Sequence, residues 1–182
     1  MKKLFFVALL LLSLTVAQLC ASDITPFSLN LWEGVQLPGG PQSSVRGLRI
    51  NLLYGVNKDV TGFDWGWFVP FNFTTGNFKG FGIGILNNVK GNAVGVQWGV
   101  VNKVDSDFKG WQNGWVNIVK GQAVGFQSGL INYTNNMRGL QLATINYVNQ
   151  LYGLQIGIIN INKKGEPLGY PFLVLPVINL AF

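Results

Sequence analysis

One eight-residue phrase recurs eight times in this chain, and its spacing restricts the fold more than any other property. Six copies follow one pattern closely, Gly80 to Asn87, Gly95 to Asn102, Gly110 to Asn117, Gly125 to Asn132, Gly139 to Asn146 and Gly153 to Asn160, and looser copies open at Gly47 and Gly62. Most opening glycines lie 14 or 15 residues apart, whereas helix-pair repeats need roughly thirty. A unit this short holds strand and turn but no pair of helices, so the repeat predicts an all-β protein.

Side chains on a strand alternate between two faces, and the phrase keeps the two sets apart. One face collects Phe81, Ile83 and Ile85, then Val96, Trp98 and Val100, then Leu154, Ile156 and Ile158, all bulky and apolar. The other is built of small residues and amides: Gln97, Gln112, Gln127, Gln141 and Gln155 each stand two residues after an opening glycine. In the two looser copies that position holds Arg49 and Asp64.

A globular sheet would place charges opposite its apolar face. Glycine and glutamine there instead suit a narrow polar lumen whose outer face meets lipid. Charged residues are only 11% of the chain and hydrophobic ones 48%, against roughly 25% charged in soluble domains. Extended to its flanks, as in Phe108 to Val119 or Ala123 to Thr134, the phrase gives strands of about 10 to 12 residues, enough to cross a bilayer when tilted. A first strand over Phe27 to Gln36 and a last one over Phe172 to Phe182 bring the total to about ten, an even number that closes antiparallel. The expected fold is therefore an up-and-down antiparallel transmembrane β-barrel of about ten strands built from 14–15-residue repeats. Its turns fall at segments such as Lys90-Gly91-Asn92 and Asp105-Ser106-Asp107, and its longest connections, Leu37 to Ser44, Thr74 to Asn77 and Lys163 to Pro171, share one rim. On this reading Arg49, Asp64, Gln97, Gln112, Gln127, Gln141 and Gln155 face the lumen. Arg49 and Asp64, on antiparallel neighbours, pair there. The alternative is a β-solenoid with one unit per coil, which stacks Gln on Gln and Asn on Asn as amide ladders and explains why every unit is alike. It leaves the many outward apolar side chains without a reason.

Ahead of the repeats, Lys2 and Lys3, the apolar run Leu4 to Leu14 and the small residues Ala17, Ala21 and Ser22 have the layout of a secretory signal peptide. The expected division is a signal over residues 1–21 and a single repeat-built β domain over 22–182. Cys20, the one cysteine, leaves with the signal, so no disulfide is available to the domain. The formal charge of +6 falls to +4 without Lys2 and Lys3, with no basic run of the kind nucleic-acid binding needs.

Three resemblances add to this. Phe172, Val174, Pro176, Ile178, Leu180 and Phe182 alternate up to a terminal aromatic, which resembles the final strand by which bacterial outer-membrane barrels are recognised. That resemblance implies insertion into a Gram-negative outer membrane by its assembly machinery, with Phe182 as the assembly signal and membrane lipid as partner. The repeats from Gly47 to Asn160 resemble an uncharacterised bacterial surface-repeat family with tandem Gly-Leu-Gln-Ile-Gly-Leu-Val-Asn units, which implies no particular activity. The Gln-x-Gly-x-x-Asn core at Gln97 to Asn102, Gln112 to Asn117, Gln127 to Asn132 and Gln155 to Asn160 resembles curlin repeats, which implies a secreted solenoid that self-assembles at the cell surface.

Catalysis finds little support. The chain has no histidine, so histidine-based triads and metal sites cannot form. Asp105 and Asp107 offer too few oxygens for calcium, and no cofactor is expected. The expected function is an integral outer-membrane barrel with a structural, adhesive or narrow transport role and an unknown ligand. The alternative is a self-assembling surface solenoid.

Overall fold

A computed structural model describes residues 23–32, 35–67, 70–164 and 173–181; the expected signal peptide and Phe182 lie outside them. The strands are β1 (Ile24–Trp32), β2 (Val35–Leu37), β3 (Ser44–Asn51), β4 (Tyr54–Asn57), β5 (Val60–Gly66), β6 (Phe71–Thr74), β7 (Phe78–Val89), β8 (Ala93–Val104), β9 (Phe108–Asn162) and β10 (Leu173–Ala181). The expected first strand, Phe27 to Gln36, is thus two elements, β1 and the short antiparallel β2.

Consecutive units run parallel. β3 pairs with β5, β5 with β7, β7 with β8 and β8 with the start of β9, and each residue meets its own equivalent: Gly80 meets Gly95, Gln97 meets Gln112, and Asn102 meets Asn117. The molecule is a β-solenoid with one unit per coil, and the antiparallel barrel is overturned. The reason lies in the likeness of the units. Parallel stacking sets every position against its own copy, so a residue type suited to a ladder is suited to it in every unit. An antiparallel neighbour would set most positions against a different letter.

Each coil has a longer and a shorter leg. In one coil these are Ala93 to Gly99 and Val101 to Val104, joined by a corner at Val100 and closed by a turn through Asp105, Ser106 and Asp107. β9 continues the path without a break. The turns are tied to one another: Asp59 Oδ1 accepts from the Asn77 N–H at 2.7 Å, Asn77 Oδ1 from that of Asn92 at 2.9 Å, and Asp107 Oδ1 from that of Gln122 at 2.8 Å. The segments expected as barrel turns are therefore coil returns, all at one end of the cross-section. Of the connections expected on a barrel rim, Thr74 to Asn77 is one of these returns, and Leu37 to Ser44 follows the edge strand β2; most of Lys163 to Pro171 lies outside the described residues.

The interior is packed, so the expected lumen is a core. Beside the turns runs an apolar column of Val45, Val60, Phe78, Ala93, Phe108, Ala123, Met137 and Leu151, faced by Val89, Val104, Val119 and Val148. From Phe78 to Met137 large and small residues alternate, which lets successive layers interlock. Toward the corner lies a polar column of glutamines and asparagines. The opening glycines let the coils stack this closely. Gly110 has φ +137°, and a Cβ there would collide with the carbonyl oxygen of Gly95 one coil below, so only glycine is tolerated.

Antiparallel strands lie at both ends of the parallel stack, the short β2 on the Leu29–Trp32 part of β1 and β10 on the last coil. Pro176 sits where the β10 register shifts between Leu175 and Val177, a bulge in an edge strand, which is where a sheet tolerates proline.

Candidate functional site

Each residue expected to line a lumen is placed inside the solenoid. Gln112 Nε2 donates to Gln97 Oε1 at 2.8 Å, Gln127 to Gln112 at 2.7 Å, Gln141 to Gln127 at 2.8 Å and Gln155 to Gln141 at 2.8 Å, and Asn179 of β10 ends the ladder by donating to Gln155 at 2.9 Å. Beside it the asparagines run from Asn72 through Asn87, Asn102, Asn117, Asn132 and Asn146 to Asn160, linked at 2.8 to 3.0 Å. Thr134 takes a place held elsewhere by valine, and its hydroxyl donates to Gln127 Oε1 at 2.7 Å.

Arg49 and Asp64 meet as parallel neighbours on β3 and β5, not as an antiparallel hairpin pair. Arg49 Nε and Nη2 grip the two Asp64 oxygens at 2.7 and 2.6 Å. The remaining guanidinium donors reach Asn57 Oδ1, the Phe73 carbonyl and Thr74 Oγ1 at 3.0 to 3.3 Å, and Asn51 donates to Asp64 Oδ1 at 2.9 Å. Arg49 is wholly buried and Asp64 nearly so. A buried charge pair is tolerated when its hydrogen bonds are complete, and the guanidinium here has a partner at each nitrogen. None of these groups can touch a substrate.

The exterior differs sharply from the core. Tryptophan is usually well buried, yet all six, Trp32, Trp65, Trp67, Trp98, Trp111 and Trp115, are at least 36% exposed. They lie on the outer side of the longer leg or at the corner, among Phe63, Phe81, Leu130, Leu142 and Ile158. Rings stack from coil to coil, Phe63 on Phe81 at 5.5 Å and Trp111 on Phe126 at 6.1 Å. The few polar groups on this flank satisfy one another: Trp111 Nε1 donates to Ser128 Oγ at 3.0 Å, which donates to Asn113 Oδ1 at 2.7 Å. A shallow groove runs between Trp98 and Trp115 over Gly99 and Gly114.

Charge collects at the opposite end. Asp105 lies among Lys120, Lys90 and Lys103 at 2.9, 3.0 and 3.3 Å, and the Lys120 ammonium above all, then Lys90 and Lys103, hold its carboxyl well below the usual range against the opposing cost of its partial burial. An open concavity near the N-terminal coils mixes Arg46, Lys58 and Lys79 with Asp23 and Asp59. Among the described residues no group of three or more His, Cys, Asp or Glu is placed to hold a metal, and no helix is long and apolar enough to cross a membrane.

Sequence reasoning missed one row. The residue just before each opening glycine faces outward, and along the stack it reads Arg46, Thr61, Lys79, Val94, Lys109, Val124, Arg138, Tyr152, a cation in every second coil across seven coils. Aligning the units on their glycines would have exposed it.

Comparison with protein-family models, with curated proteins and with solved structures finds no match.

Proposed function

We propose that the chain is an exported, non-catalytic surface β-solenoid that acts as a structural or adhesive element through its apolar flank. The carrying observation is the split between core and surface: the amide ladder and the Arg49–Asp64 pair are buried and mutually bonded, while all six tryptophans are exposed among other outward apolar side chains. Large exposed apolar patches mark interaction sites. The parallel stack agrees with the solenoid that the curlin resemblance implies. Its ends differ from a template for endless growth, because antiparallel β2 covers the Leu29–Trp32 half of β1 at one end, and at the other antiparallel β10 covers the last coil with Pro176 interrupting it. Association therefore runs through the flank instead of end to end.

Fractionation after expression in a Gram-negative host tests this. The protein should leave the cytoplasm, sediment with the envelope, and give β-rich material without fibres growing along one axis. Recovery in the cytosol with the leader intact would overturn export, and long unbranched fibres would overturn the capped-end argument.

A further inference from the structure

The apolar flank is not an isolated patch, because cations accompany it along the whole stack. Arg46, Lys79, Lys109 and Arg138 occupy one outward row on the longer leg, in alternate coils, and none of the intervening residues in that row is acidic. Coils about 4.7–4.9 Å apart space these charges at roughly 9.5 Å. The next row toward the corner, Leu48 to Leu154, is apolar, the one after it is apolar except at Asn113 and Ser128, and the corner itself, Val100-Val101, Trp115-Val116, Leu130-Ile131 and Ile158-Ile159, carries no charge. The turns carry both signs, Asp59, Asp105 and Asp107 beside Lys58, Lys90, Lys103 and Lys120, and at the N-terminal coils Asp23 and Asp59 share a concavity with Arg46 and Lys79. The cross-section is thus amphipathic, with cations set between the apolar flank and the polar turns.

We propose that this flank is a peripheral docking surface for a lipid bilayer carrying anionic headgroups. The proposal takes the association surface of the preceding section as its site and names its partner. Three physical features favour lipid over a second copy of the chain. A basic row bordering an apolar strip complements an anionic headgroup layer above hydrocarbon, the arrangement by which interfacial helices bind. A symmetric copy would have to dispose of the same four cations. Tryptophan, apolar with one polar N–H, favours the boundary between water and hydrocarbon. The backbone of both legs of an inner coil is already paired with the coils above and below, the register lapsing only around the corner at Val100, so the longer leg can meet the headgroup boundary without exposing unpaired groups. The solenoid would lie on its longer leg with its axis in the membrane plane, without spanning it.

The test uses the full chain with vesicles of phosphatidylcholine and phosphatidylglycerol at 3:1, and of phosphatidylcholine alone. The leader is apolar but contains no tryptophan, so tryptophan emission reports the solenoid. The expected result is blue-shifted emission, quenched by lipids brominated in their acyl chains, with at least fivefold tighter binding to the anionic vesicles. Trp98→Ser/Trp115→Ser/Leu130→Ser should cut the quenching at least tenfold, and Lys79→Gln/Lys109→Gln/Arg138→Gln should abolish the preference for phosphatidylglycerol. Quenching that survives the apolar triple change, or a lipid preference that survives the basic one, would overturn the proposal. If the apolar variant fails to fold, the unsubstituted chain decides, since absence of bromine quenching is fatal by itself. Concentration-dependent oligomers without vesicle binding would assign the flank to a second copy. That outcome would leave the export reading standing, whereas cytosolic retention in cells would defeat export without touching the vesicle result.

Discussion

Near its N-terminal end the polar column of the core is ionic, and from Gln97 onward it is a chain of amides. Both regions bury strongly polar groups in the interior, and both stack their groups one coil apart. The difference lies in how failure spreads. Arg49 and Asp64 depend on each other for charge, so loss of one strands the other. Each glutamine inside the ladder donates to one neighbour and accepts from the next, and loss of one leaves only neutral groups short of a bond. Complementary charges concentrate the dependence in two residues, whereas a ladder distributes it along the stack.

The largest expected effect follows from that contrast. Arg49→Ala should lower stability by about 3–5 kcal/mol, because it leaves the Asp64 carboxylate buried without its cation. Asp64→Ala in the same molecule should recover part of the loss. Urea unfolding of the four chains checks this, and strictly additive losses would mean that the pair does not act as a unit. Gln127→Ala should cost less, about 2–3 kcal/mol, from a cavity and from Gln141 and Thr134 losing their acceptor. A loss equal to that of Arg49→Ala would erase the contrast.

Gly82 separates the two regions. It stands at the glutamine position between Asp64 and Gln97, and a Cβ there would sit 3.2 Å from Phe78 Cζ, so the phenyl ring occupies the space an amide would need. Gly82→Gln alone should therefore cost about 1–2 kcal/mol by overpacking. Combined with Phe78→Ala, which vacates the space, it should regain most of that and extend the ladder toward Asp64. Thermal melting of both variants distinguishes crowding from an intrinsic need for glycine.

The smallest effect belongs to the surface. Asp105 shares its carboxylate with three lysines, but Lys90 and Lys120 are half exposed, so water screens the gain and Asp105→Asn should cost less than about 1 kcal/mol. Its carboxyl is held below the usual range in the folded protein. Its contribution is therefore present above the ordinary carboxylate value near 4 and fades as pH falls below it. The difference between parent and Asp105→Asn should shrink in acid melts below about pH 4 and stay constant above it.

Much of this was legible in the sequence. Period-two alternation separated the outward Phe81, Trp98 and Ile156 from the inward Gln97 and Gln155, and the two charged exceptions to the glutamine rule, Arg49 and Asp64, are placed against each other. Alternation cannot say whether the next strand runs parallel or antiparallel, since both leave the same faces. The scarcity of charge pointed to a barrel. In the structure it reflects a solenoid that buries amides and exposes tryptophan. The sharper signal was the likeness of the units themselves, including Asn102 and Asn117 as well as the glutamines, because only a parallel stack sets like against like. The cations of alternate coils went unread because the phrase was taken to begin at its glycine, one residue too late.

The alternation along the apolar column carries a further consequence. Coils with a large core residue, Phe78, Phe108 and Met137, carry the cations Lys79, Lys109 and Arg138 as the next residue, while those with Ala93 and Ala123 carry Val94 and Val124. Inside and outside therefore share a period of two coils. Excising one coil, Ala93 to Asp107, would bring Phe78 against Phe108 and Lys79 against Lys109, crowding the core and crowding charge together. Excising two, Ala93 to Gln122, would restore large against small and cation against valine. Between Phe78 and Met137, therefore, the stack keeps both alternations only when its length changes in steps of about thirty residues, twice the repeat that folds as one coil.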